Sequence, residues 1–256
     1  MMKFKTYEIR LTTEDPFRIG GKPDYLSAAE NAVTVVGDRL CIPGSSLKGA
    51  YRAELERYLS ALHSGSGASE SILPCIPATS LSPDEEELVR KKRFKGKGCT
   101  YPSGRGRGAQ GGKDSSICPA CYLLGAQGMV GFVKVPFLFA SREASQEYLY
   151  SSSIDRATQV VEKGTNRPYQ YVPPGTLFTG ELEVLLEDPL LDWKLGEPRP
   201  LKENEYADAW LLENVGWTQE RILKELIEDR LKNIRQLGGY RSKGFGKVSI
   251  ELSPKT

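Results

Sequence analysis

Histidine is almost missing from this 256-residue chain: His63 stands alone. A mechanism that needs a histidine base and a histidine ligand together is therefore excluded. No apolar run approaches the ~18 residues that a bilayer crossing requires. The opening MMKFKTYEIRL alternates polar and apolar residues and lacks the apolar core of a signal peptide. The expectation is a cytoplasmic protein with no membrane partner. Excess charge of one sign is also scarce, since 35 Lys+Arg against 33 Asp+Glu leave a net charge of +2. The five cysteines, in a reducing compartment, argue against disulfides and toward metal binding or burial. The remaining composition, 39% hydrophobic and 27% charged, is that of an ordinary globular chain. Its length suits one large domain, or one domain with insertions.

What is present divides into patterned and unpatterned stretches. Residues 3–12 read as a strand, and Val33–Val36 and Leu40–Ile42 as short strands about a turn at Gly37-Asp38. A helix is expected from Ser45 or Ser46, with Leu47, Tyr51, Leu55, Tyr58, Leu59 and Leu62 as its apolar stripe. Residues 64–117 contain little that can form a core and read as an insertion projecting from the domain, with a short helix at Pro83–Lys92. Between Arg90 and Lys113 there are nine Lys/Arg and no Asp/Glu, which suits a polyanion or a solvated loop. Val130–Ala140 reads as a buried strand bent at Pro136, Leu177–Leu186 as another strand, and 188–208 as a loop. A second helix from Thr218 would bury Ile222, Leu223, Leu226, Ile227, Leu231, Ile234 and Leu237 and stop at Gly238-Gly239, before a strand at Lys247–Leu252. Strands flanking two amphipathic helices give an α+β fold, most simply a ferredoxin-like sheet with helices on one face.

Three segments carry chemistry. Pro43-Gly44-Ser45-Ser46-Leu47-Lys48-Gly49 places serines and a lysine at a helix start, with Arg52 four residues beyond Lys48. Free amides and the helix dipole make such a start an anion site; a serine cap with a solvated basic face explains it equally well. Gly238–Gly246 combines flexible backbone with Arg241, Lys243, Tyr240 and Phe245. It can approach phosphates and stack on bases, or serve as a helix cap and hairpin turn. It is no Walker loop, because the Gly-Lys-Ser/Thr order is absent. Cys118-Pro119-Ala120-Cys121 is a metal-knuckle signal, and with Cys75 and Cys99 it offers four thiolates to a structural zinc ion. That metal would order a stretch too poor in apolar residues to order itself. Reduced buried thiols, a redox pair, or His63 in place of one cysteine are the alternatives. Cys41, inside an apolar strand, reads as core.

Taken in order, the segments resemble the RAMP superfamily, the RNA-binding subunits of CRISPR effector complexes, and among them the backbone subunits of type III complexes and their relatives. The matching stretches are Phe17-Arg18-Ile19-Gly20-Gly21, Ile42–Gly49, Cys118–Cys121 with Gly125, Ile154-Asp155-Arg156 with Val172-Pro173-Pro174-Gly175-Thr176, and Gly239–Gly246. The resemblance implies a single modified ferredoxin-like or RRM-like domain over 1–256. Within it would lie a zinc-binding basic insertion at 64–121, near the target strand, and a thumb hairpin at about 154–173. It implies a subunit that oligomerises along crRNA and presents it to target RNA. Its partners would be copies of itself, a cap subunit on the guide 5′ end and a separate nuclease. RNA contacts would come from Gly20, Gly21, Ser45, Ser46, Lys48, Arg52, Arg156, Gly239, Tyr240, Arg241, Ser242, Lys243 and Gly244.

In type III relatives an aspartate after the Gly-Gly motif drives target cleavage. Here Ala28-Ala29-Glu30 stands at that place, with Asn31 after it and Asp24 nearby. Glutamate is one methylene longer, and a shift of about 1 Å costs positioned catalysis much of its rate. The expectation leans toward a subunit that binds without cutting, as in complexes that delegate nuclease work to another subunit, such as type VII, which resembles a relative of the type III-D branch. The competing readings are a Mg²⁺-dependent endoribonuclease using Glu30 or Asp24, a guide-processing nuclease relying on His63, and a zinc-stabilised domain without nucleic acid.

Overall fold

The structure, a computed structural model, describes residues 1–20, 32–100, 116–202 and 205–255. Strand β1 (Lys3–Thr13) buries Tyr7, Ile9, Leu11 and Thr13, while Glu8, Arg10 and Thr12 between them stay accessible. This period of two puts one face of the strand on the core. A hairpin of β2 (Val35–Val36) and β3 (Arg39–Ile42) leads into helix α1 (Gly44–Ser66). Leu47, Tyr51, Leu55 and Leu59 on α1 are all fully buried, each contributing roughly 1.5–3 kcal/mol. The helix begins at Gly44, and no side chain caps it, so the serines sit inside its first turn. The expected short helix is α2 (Pro83–Arg90), opened by a Ser82–Glu85 capping box.

Helix α3 (Pro119–Leu124) carries the cysteine knuckle and is buried throughout. It joins Ile72, Cys75 and Ile117 in the same hydrophobic core as the sheet. The ends of the 64–121 segment are thus packed into the domain, where the sequence suggested a projection. The continuous strand expected over Val130–Ala140 is two pieces, β4 (Val133–Lys134) and β5 (Leu138–Ala140). Pro136 lacks an N–H and breaks the ladder between them. At the break a Cβ on Gly44 would lie 2.8 Å from the Val135 carbonyl oxygen, so only glycine lets the helix start come this close.

Strands β6 (Glu147–Ser151) and β7 (Arg167–Tyr171) pair antiparallel as a separate hairpin, which is longer than the expected 154–173 segment. The main ladder continues with β8 (Leu177–Asp188). Residues 188–208, expected as loop, instead hold β9 (Trp193–Lys194) and the small pair β10 (Pro200–Lys202) and β11 (Glu205–Tyr206), followed by α4 (Ala209–Glu213). The second long helix runs from α5 (Gln219–Arg221) through a π-helical stretch, Ile222–Glu228, to α6 (Asp229–Lys232). Inside this widened stretch the Tyr51 hydroxyl donates to the Leu226 carbonyl at 2.8 Å. The helix ends at Lys232, short of Gly238-Gly239. Leu237 N–H donates to the Gly246 carbonyl at 2.8 Å and Val248 N–H to the Arg235 carbonyl at 2.9 Å, so 235–237 pair with the approach to β12 (Val248–Pro254). Ile234 and Leu237 keep the three-residue spacing of a helix, while the backbone of Arg235 and Leu237 is committed to Val248 and Gly246.

The large sheet runs β12-β1-β8-β5-β3-β2 with every neighbour antiparallel, and β4 and β9 add to β8. The module before α4 is held by a fully buried ion pair. Arg199 Nε and Nη2 each lie 2.8 Å from an Asp208 carboxylate oxygen. The guanidinium also faces the rings of Tyr122, Trp193 and Phe132. Removing one partner strands a charge in the core. Asp208→Ala is therefore expected to cost about 3–5 kcal/mol, and Arg199→Met with Asp208→Leu markedly less. Urea unfolding followed through tryptophan fluorescence checks this; equal losses in the single and double variants would contradict it.

Candidate functional site

The motif segments meet where β1 ends. Phe17 exchanges both backbone hydrogen bonds with Val172, at 2.9 and 2.7 Å. The Arg18 carbonyl accepts from Gly239 N–H at 2.8 Å, and the Pro16 carbonyl from Gly246 N–H at 3.0 Å. Thr13 is bound to the Pro173–Thr176 turn through both backbone and hydroxyl. Gly238 is required here: at φ +87°, a Cβ would lie 2.4 Å from the Arg18 carbonyl oxygen. Between the two ties the glycine loop turns outward. Arg241, Ser242, Lys243 and Gly244 are exposed, with Arg241–Lys243 forming one 3₁₀ turn.

Aromatic side chains brace this loop. Tyr240 packs edge-on against Tyr169 of β7 at 5.4 Å between centroids, and Phe245 packs against Tyr171 at 6.2 Å. The Arg18 guanidinium lies 4.9 Å from the Tyr240 ring centroid, with the residue only 7% exposed. Its Nε has no hydrogen-bond partner among the described residues. Tyr169, Tyr171 and Arg18 were not singled out as site residues from sequence. The alternation of Tyr169 and Tyr171 about buried Gln170 was the signal that could have found the strand.

At the other basic segment, Ser45, Lys48 and Gly49 are exposed and Ser46 is half-buried. No acidic residue stands in the first turn of α1, so its positive end is uncompensated. Arg52, expected beside Lys48, has different partners: its Nε donates to Glu56 at 2.8 Å and its Nη2 to the Cys75 carbonyl at 3.0 Å. Arg156 is exposed on the β6–β7 excursion, where Asp155 accepts from the Ala157 and Thr158 amides and shapes the turn. Gly20 bridges Val33. Gly21, Asp24 and Glu30 lie outside the described residues. The sheet's open face carries mixed charge: Glu8 stands directly opposite Glu181 and Arg10 opposite Glu251, while Glu181 pairs with Lys255 and Glu183 with Lys134.

The sulfur atoms of Cys75, Cys99, Cys118 and Cys121 all lie within 4.8 Å of one another. Four thiolates at 2.3 Å from a tetrahedral ion would stand about 3.8 Å apart, so the donor set fits a metal of that preference. Two backbone amides already aim at sulfur: Cys75 N–H at Cys118 Sγ and Cys118 N–H at Cys99 Sγ, both at 3.4 Å. Hydrogen bonding among the four thiols lowers Cys121 and Cys75 and raises Cys118, and Cys99 is raised as well, so without a metal the cluster shares its protons unevenly. Burial disfavours the Arg52 cation, yet the sulfurs of Cys121, Cys75 and Cys118 more than offset it and raise its pKa. His63 is not part of the cluster; its Nδ1 lies 2.8 Å from the Ala68 carbonyl oxygen near the end of α1. Cys41 is buried in β3.

A groove of about 990 Å³ borders this centre, lined in part by Lys48, Arg52, Cys75, Lys97 and Lys134. Among the described residues no helix is long and apolar enough to cross a membrane. A search of curated proteins finds no match. The RAMP superfamily profile matches residues 10–249, the span that holds the joined glycine loop, the helix start and the cysteine centre. The chain belongs to the RAMP superfamily.

Proposed function

We propose that the chain is a backbone subunit of a CRISPR effector complex, holding guide RNA by its phosphates and presenting it to target RNA. RAMP superfamily proteins are CRISPR-associated RNA-binding components. The observation that carries the narrower reading is the backbone-to-backbone fastening of the Phe17–Gly20 segment, the Val172–Thr176 turn and the glycine loop at one end of the sheet. A loop held at both ends, with Arg241 and Lys243 outward, is preorganised for a polyanion at little entropic cost. The open start of α1, with Ser45, Ser46 and Lys48, supplies the second anion site. The strand order, with β12, β1, β8 and β5 side by side and helices between them in sequence, supports a ferredoxin-like reading of the fold. In this account the β6–β7 hairpin, carrying Arg156, is the thumb, and the four cysteines hold a structural zinc ion. Copies of the chain stack along the crRNA beside a cap subunit, with cutting left to another subunit. The basic residues beyond Thr100 add long-range attraction for RNA.

Phosphate contacts release counterions, so binding of single-stranded RNA should weaken steeply with salt and ignore sequence. Lys48→Ala with Arg241→Ala is expected to lower affinity at every salt concentration and to reduce the logarithmic salt slope by about 1–2. Fluorescence anisotropy across a salt series measures this, and a slope unaltered by the double substitution would contradict the grip. For the metal, Cys118→Ser with Cys121→Ser should abolish retention of about one zinc ion per chain, read by elemental analysis, and lower the thermal midpoint. Full retention in that variant would rule out the four-thiolate centre. For the cutting, matched target incubated with the assembled complex and Mg²⁺ should survive intact. Regularly spaced cuts that disappear in Glu30→Ala would favour the endoribonuclease reading instead.

A further inference from the structure

Arg52 stands one helical turn beyond Lys48, and both residues border the groove that contains Cys75, Cys99 and Cys121. Their surroundings differ. Lys48 is exposed, whereas the Arg52 side chain keeps only 15% of its accessible surface. The guanidinium fork is used on three sides. Nε binds Glu56, Nη2 reaches both the carbonyl oxygen of Cys75 at 3.0 Å and its Sγ at 3.2 Å, and Nη1 lies 3.7 Å from Cys121 Sγ. One planar group therefore spans two candidate ligands from distant parts of the sequence and ties both to α1. An RNA phosphate would have to displace these contacts to use the same N–H groups.

The charge at the centre gives this arrangement a purpose. Four thiolates around a divalent ion leave about two negative charges uncompensated. In a largely buried setting such charge needs a nearby cation and hydrogen-bond donors. We propose that Arg52 is a positioning residue of the metal–thiolate centre, neutralising sulfur charge and orienting Cys75 and Cys121, and is no part of the RNA contact surface. The inference rests on the metal reading above and deepens it, while separating the roles of two cations on the same helix. Arg52 belongs to the metal and Lys48 to the phosphate. Lysine would substitute poorly, because a single ammonium cannot bridge two sulfurs and a carbonyl as the fork does.

Cobalt(II), added alone to the full chain, is the probe. Its thiolate charge-transfer and d–d bands report four-sulfur coordination, and competition with a chelator reports retention. Arg52→Met is expected to hold cobalt about 10–100-fold less tightly than the unsubstituted chain, with Arg52→Lys between the two. Once saturated with cobalt, Arg52→Met should bind single-stranded RNA within about twofold of the unsubstituted chain and with the same salt slope. The inference is overturned if both variants retain cobalt as tightly as the unsubstituted chain. It is equally overturned if the logarithmic salt slope of the saturated Arg52→Met chain is smaller by about 0.7, the change that one lost phosphate contact on a single strand would cause. Should Arg52→Met not fold, Arg52→Lys decides, since undiminished retention there contradicts the need for the fork. Cobalt uptake without any RNA binding would remove the RNA reading and leave the comparison of retention standing. Failure of the unsubstituted chain to take up cobalt with a four-sulfur spectrum would remove the metal reading and this inference together.

Discussion

Three consecutive residues just beyond the end of β1 fasten the outward-facing segments to the sheet. Pro16 and Arg18 offer carbonyls to the two ends of the glycine loop, and Phe17, between them, is bonded on both its amide and its carbonyl to Val172. Neighbouring peptide groups in an extended chain point to alternate sides, so one short stretch can hold two partners in fixed relation. The glycine loop and the β6–β7 hairpin inherit their positions from this junction. The aromatic contacts between Tyr169, Tyr240, Tyr171 and Phe245 then stiffen the join. A loop anchored at both ends, with two cations outward, has little freedom to lose when it meets a polyanion.

A second junction fixes α1. Its apolar stripe lies in the core, its glycine start is pressed against the break at Val135–Pro136, and Arg52 reaches from its flank to Cys75 and Cys121. The cysteine segment is therefore continuous with the helix that carries Lys48, although the two are far apart in sequence. Charge is balanced on the open sheet face, where Glu181 pairs with Lys255 and Glu251 stands opposite Arg10, while Arg241 and Lys243 of the glycine loop and Lys48 of the helix start are exposed. The domain is nearly neutral overall, and its capacity for RNA resides in how that charge is distributed.

Much of the α+β architecture was legible because it rests on local patterns. The alternation in β1 and β8 and the stripe of α1 follow from periods of two and 3.6, and the cysteine set was visible because thiols are rare and their knuckle spacing is distinctive. What was not legible depended on partners remote in sequence. Residues 234–237 keep helical spacing but pair with 246–248, so the helix ends earlier than the pattern suggests. The pairing of Arg199 with Asp208 amid three aromatic rings, and the turning of Arg52 into sulfur, can be seen only once the chain has folded. Strands β6 and β7 were hidden because neither carries a plain apolar face: β6 is exposed along its whole length, and β7 buries chiefly Gln170.

Cross-linking of guide RNA to the assembled complex, followed by mass spectrometry of the attached peptides, tests the central claim most directly. The account predicts cross-links on the peptides containing Ser45–Lys48 and Tyr240–Lys243. Cross-links absent from both, and concentrated instead on the open sheet face around Glu8, Glu181 and Glu251, would contradict it.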